Sequence, residues 1–150
     1  MSDWGHNYDA EAATLAVIML DSEDAKVIFR LLDENDFTES FHGLVFLAMK
    51  RLHRAGLEID LLTVMNEMRD RGELDLPGRL TRLTGLASAV PTNANGEYYA
   101  RIVLCKTLRR KMDLIGNELV LAAHDDSVEI GPVLNATRDS LSDLLARTHA

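Results

Sequence analysis

Apolar residues recur along most of this chain at the three- and four-residue spacing of a helix with one buried face. No useful stretch alternates with the period of two that marks a half-buried strand. The pattern predicts an all-α fold. Asp9 is placed to cap a first helix over 10–20, with Ala12, Leu15, Ala16, Met19 and Leu20 on its buried face. Asp21 and Ser22 restart the chain into a second helix carrying Val27, Ile28, Leu31 and Leu32. After a break at Asn35 and Asp36, a third helix over 40–55 sets Leu44, Leu47, Ala48, Leu52 and Ala55 on one stripe, and Gly56 closes it. Asp60 caps a fourth helix over 61–71, ended by Gly72. Pro77 and Gly78 turn the chain into a short fifth helix over 79–87, which leads to a turn at Pro91.

From Asn95 the helical pattern runs to Ala123, close to thirty residues, or about 43 Å at the rise of an α-helix. Its apolar face changes partway. Tyr98, Tyr99, Ile102 and Val103 share one side, which would pack on the head. Leu108, Met112, Ile115 and Leu119 fall on the other side with the rhythm of a coiled-coil seam. Past a polar loop at His124 to Ser127, that rhythm returns in Ile130, Leu134, Thr137, Leu141 and Leu144. The simplest architecture is a globular head of about five helices over 1–94, followed by a long antiparallel helical hairpin over 95–150. Leu104, Leu114, Val120, Leu121, Val133 and Leu145 then have no obvious partner within the hairpin. A second copy of the chain would cover them, so self-association is expected; folding back onto the head is the alternative.

The hydrophobic fraction of 47% and charged fraction of 27% suit an ordinary globular domain. No apolar run reaches the length of a membrane span, and the start lacks the basic and apolar regions of a signal peptide. A cytoplasmic location follows as an expectation. The single Cys105 excludes an internal disulfide and reads as a small core residue. The net charge of −8 is unevenly placed: residues 1–39 hold ten acids against Lys26 and Arg30, and the rest of the chain is balanced. An acidic lobe repels phosphate backbones and favours basic protein partners.

Little in the chain suggests chemistry of its own. His42 and His53 would share a helix face near Lys50, Arg51 and Arg54, and read as capping or surface histidines because no acid or cysteine completes a metal site. Asp33, Glu34 and Asp36 lack the spacing of a calcium loop and read as a solvated loop. The chain holds neither a nucleophile motif nor a Gly-x-x-x-x-Gly-Lys-Ser/Thr phosphate loop. No catalytic, metal-binding or cofactor-binding residue is therefore expected, and no cofactor. Arg101, Lys106, Arg109, Arg110 and Lys111 form the one basic stretch. It is either a solvated face or a docking surface for an acidic partner or a neighbour's acidic head. Nucleic acid ranks last, because no aromatic residues interleave it for base stacking.

Four segments, in order, resemble the N-terminal domain of replicative DNA helicases of the DnaB type. They are Ala10 to Asp21; Asp36-Phe37 with His42 and Phe46; Ile59 to Val64 with Gly72-Glu73-Leu74; and Val90 to Asn95 with Tyr98, Tyr99, Ala100 and Val103. The sequence departs from the family pattern at Ala16, Arg79 and Arg82. The resemblance implies a head and hairpin that pair into dimers, three dimers forming the collar of a hexameric ring. In the family this collar docks the C-terminal domain of primase; a helicase loader is a candidate further partner, which the sequence leaves open. ATP hydrolysis belongs to a separate RecA-type domain. A free-standing helicase-binding regulator without a motor, and an unrelated all-α interaction module, are the alternative readings.

Overall fold

The computed structural model describes residues 4–89 and 95–150. The described residues form seven α-helices and one 3-10 turn, with no strand among them. Helix α1 spans Tyr8–Ile18, α2 Ser22–Leu31, α3 Ser40–Arg54, α4 Leu61–Asp70 and α5 Arg79–Ala87. The long α6, Gly96–Ala123, and α7, Ile130–Thr148, complete the chain. Most boundaries follow from capping side chains. Asp21 accepts from the N–H groups of Glu23 and Asp24, Asp60 from that of Thr63, and Asn95 from that of Tyr98. Asn7, rather than Asp9, caps α1 by accepting from the Ala10 N–H at 2.9 Å. Asp9 instead lies in the first turn, where a negative charge suits the helix dipole.

α1 is the central element. It packs against α2, α3, α5 and α6, so Ala10, Ala13, Leu15, Ala16, Val17 and Ile18 are all buried although they circle the helix. Of the single face expected, Ala12 and Met19 are only half-buried and Leu20 is 68% exposed. On α3 the buried stripe is likewise wider and offset. Phe41, Val45, Phe46, Ala48, Met49 and Leu52 fill the core, Leu44 and Leu47 are half-buried and Ala55 is exposed. The aromatic rings claim the centre because they bury the most surface.

The first third of α6 belongs to the head. Gly96, Ala100, Val103, Leu104 and Thr107 form its buried stripe against α1 and α2. Leu104, expected to lack a partner, is therefore a core residue, while Tyr98 is 60% exposed. Cys105 faces outward, because the stripe on either side of it points to the head. From there α6 leaves the head and α7 runs back along it. At 28 and 19 residues the two arms measure about 42 and 28 Å. The turn expected at Pro91, and the Val90 to Ala94 part of the family match, lie outside the described residues.

Candidate functional site

Two features of the hairpin stand out: an open apolar ridge, and the joint that fixes the hairpin to the head. The 4-3-4 rhythm of α7 produces two neighbouring ridges. Val133 and Thr137 are half-buried and Leu144 is buried, so this ridge turns inward toward α6. One position round the helix, Ile130, Leu134, Leu141 and Leu145 are 73, 57, 47 and 62% exposed. Leu119 of α6 borders the groove beside them, together with Thr137, Arg138 and Ser142. Of the residues assigned to a seam by spacing, Leu108, Ile115 and Leu119 are half-buried and Leu144 is buried, whereas Met112, Ile130, Leu134 and Leu141 are open to solvent. Leu114, Val120 and Leu121 add further exposed apolar surface. Periodicity identifies apolar positions, but two helices can cover only one ridge each.

The basic stretch is not one surface. At 100° per residue its five side chains spread around the whole circumference of α6. Arg101 pairs with Glu97 on the next turn at 2.7 Å and reaches the backbone oxygen of Ala150. Arg109 and Lys111 are exposed and Lys106 is half-exposed. Arg110 is structural. It donates to the Gly5 carbonyl, to the Asp36 carbonyl at 2.9 Å and to the Thr107 hydroxyl at 3.0 Å. This ties the N-terminal segment to α6, where Trp4 lies beside Arg109, Met112 and Gly116.

Asp36 organises the joint. Its carboxylate is almost completely buried and accepts a two-pronged contact from Arg147, at 2.7 and 3.0 Å, plus the Asp33 N–H at 2.7 Å. Arg147 also donates to the carbonyl of Leu31. The acidic triplet is thus no solvated loop: Lys50 bridges Asp33 and Glu34 at 3.5 and 3.0 Å. Although burial alone would raise its pKa, the Asn35 N–H and Lys50 hold Asp33 below the usual aspartate value.

A second buried cluster links α1 to α3. Glu11 accepts from the Thr38 N–H and hydroxyl at 2.8 and 2.6 Å, and faces His42 Nδ1 at 2.8 Å. His42 is therefore a buried partner of Glu11 rather than a surface group. His53 stacks on Phe29 with ring centroids 4.7 Å apart. Burial pushes the Glu11 carboxyl up, but the hydrogen bonds from His42, Thr38 and Glu39 outweigh it and hold the group ionised below its ordinary range.

Five of the ten acids among residues 1–39 are paired with later parts of the chain. Glu11, Asp33, Glu34, Asp36 and Glu39 take their partners from His42, Lys50, Arg147 and Arg82, all later in the chain. These five acids are an internal electrostatic counterpart, while Asp9, Asp21 and Glu23 remain exposed on the surface. Arg82 and Arg79, two of the three departures from the family pattern, lie 4.7 and 5.9 Å from the Phe41 ring. Among the described residues no group of His, Cys, Asp or Glu has the arrangement of a metal site, and no helix is long and apolar enough to cross a membrane.

Comparison with known proteins decides the family. The family model described as the DnaB-like helicase N terminal domain matches residues 5–104. The chain belongs to this family. It is similar to the replicative DNA helicase DnaB of Buchnera aphidicola, with 36% identity over 80% of the chain and 26% of that protein. It is also similar to the DnaB of Geobacillus stearothermophilus, with 32% identity over 95% of the chain and 31% of the relative. The chain thus spans about a third or less of the length of these DnaB helicases. The crystal structure of the N-terminal domain of the Mycobacterium tuberculosis DnaB helicase superposes with a TM-score of 0.81 at 28% identity. That match covers 93% of this chain and 98% of the other, so the DnaB N-terminal fold includes the hairpin as well as the head.

Proposed function

We propose that this chain acts as the collar of a replicative DNA helicase: a head over 1–94, onto which the first third of α6 packs, and a hairpin over 95–150 whose distal part pairs as an arm with that of a second copy. Three such dimers would close a hexameric ring. The collar would dock the C-terminal domain of primase during DNA replication, in the cytoplasm of a bacterial or phage-infected cell. The family supports the role in general, and one observation carries the assembly step. Ile130, Leu134, Leu141 and Leu145 form an exposed ridge on a two-helix arm, with no third helix among the described residues to cover it. An arm of the same shape, related by a two-fold axis, offers the matching ridge.

The test is sedimentation equilibrium on the 150-residue chain and on the variant Leu134→Glu with Leu141→Glu. A wild-type dimer that becomes a monomer in the variant, with helicity unchanged by circular dichroism, is expected. A wild-type chain that stays monomeric at high micromolar concentration contradicts the assembly step. Titration with the isolated C-terminal domain of primase tests docking separately, and Arg109→Glu with Lys111→Glu asks whether the exposed cations of α6 take part.

A further inference from the structure

We propose that the cleft where the head meets the end of α7 binds a phosphate-bearing polyanion of small-molecule size. The cleft measures about 530 Å³ and is polar, in the range that holds one small ligand. Four cations from four different helices line it: Arg30 of α2, Lys50 of α3, Lys111 of α6 and Arg147 of α7. Its carboxylates are already engaged, Asp36 by Arg147 and Asp33 by Lys50. Arg30 and Lys111 are exposed and have no ion-pair partner among the described residues.

Four cations against the carboxylates of Asp33 and Asp36 leave the cleft with an excess of positive charge, and Arg30 and Lys111 carry its unpaired part. An anion there offsets that excess, and the Asn35 side chain, which already donates to Asp33 at 3.0 Å, keeps a second amide N–H for it. A single monoanion can satisfy one cation. Two cations from different elements favour a chain of two or three phosphates, and the guanidinium of Arg30 suits a phosphate as a two-pronged donor. Such a ligand would bridge α2 of the head to α6 of the arm, next to the contact between Asp36 and Arg147. The site is separate from the apolar ridge and shares only Lys111 with the cations tested for primase docking.

Inorganic tripolyphosphate is the first probe, titrated into the isotope-labelled chain while backbone amide signals are followed; ATP and AMP are parallel arms. Saturable shifts confined to the neighbourhood of Arg30, Asn35, Lys111 and Arg147 are expected. Arg30→Gln and Lys111→Gln should each weaken binding by about fivefold or more, and the double variant should abolish it. Arg138→Gln, on the exposed hairpin surface, should bind as the wild type does. Equal binding of tripolyphosphate and ATP, with AMP weaker, would assign recognition to the phosphate chain. Tighter ATP binding would add a nucleoside contact within the same site. The proposal is overturned by an absence of shifts at millimolar probe, by shifts spread over all exposed cations, or by a double variant that binds normally.

Discussion

Arg147, in the last turn of α7, holds both carboxylate oxygens of Asp36 at 2.7 and 3.0 Å, although 111 residues separate the two in sequence. The contact closes the molecule. α6 connects head and arm covalently, but α7 returns to the head through this pair and the contact of Arg147 with the Leu31 carbonyl. Removing the guanidinium leaves a buried carboxylate without its main partner. Arg147→Ala should therefore lower stability by about 2–4 kcal/mol in urea denaturation. Arg147→Lys should recover less than half of that, since an ammonium cannot make the fork and reach Leu31 together. A loss within the error of the measurement would show that the pair is incidental.

Glu11 predicts an acid limb in the stability profile. Its folded pKa lies below the ordinary glutamate value of 4.5. Its stabilisation is therefore complete above that value and is lost as pH falls through the lower, folded one. Glu11→Gln keeps the shape and removes the charge. Melting temperature followed from neutral pH to about pH 3 should fall less steeply in the variant below the glutamate range, from a lower plateau at neutral pH. Parallel curves for the two proteins would rule the carboxylate out as a source of the acid limb.

The same substitution should have opposite signs at two glycines of α6. A Cβ on Gly96 would lie 2.6 Å from Val17 Cγ1, 2.8 Å from Asp24 Oδ2 and 3.1 Å from Ile28 Cδ1, and Asp24 already accepts the Gly96 N–H. Gly96→Ala should thus destabilise by about 1–3 kcal/mol as α6 is pushed off α1 and α2. Gly116 has open space where a Cβ would go. Gly116→Ala should stabilise by up to about 1 kcal/mol through helix propensity. Thermal denaturation of both variants settles the pair, and a neutral Gly96→Ala would mean that the helix shifts freely.

Neighbouring arginines should also part company. Arg110→Ala removes donors to Gly5, Asp36 and Thr107 and should cost about 1–3 kcal/mol. Arg109→Ala touches no comparable network and should stay within about 0.5 kcal/mol. Chemical denaturation of the two single variants distinguishes a structural arginine from a surface one. Equal effects would contradict the assignment.

Much of the secondary structure was legible. Asp21, Asp60 and Asn95 cap the helices their sequence positions suggest, because capping depends on a side chain and amides two or three residues away. Gly56 and Gly72 end helices with φ of 70° and 69°, the left-handed geometry that glycine adopts at least cost. The α1 start was misplaced because Asn7 and Asp9 are both good caps, and which one acts depends on where the incoming chain runs. Burial was less legible. Leu104, Cys105 and Tyr98 sit on one helix, and only the direction in which the head lies decides that Leu104 is core while the other two are exposed.

What the sequence determined by itself is local: seven helices, their caps and stops, the apolar rhythm of the hairpin and the family motifs, all set by contacts within a few residues. Only the tertiary structure decided which ridge of α7 is covered and which stays open. It also decided that Arg110 and Arg147 both bind Asp36, and that Glu11 and His42 meet in the core. Those pairings join residues 31 to 111 positions apart. No periodicity encodes them, because they exist only once packing of the apolar faces has brought distant helices together.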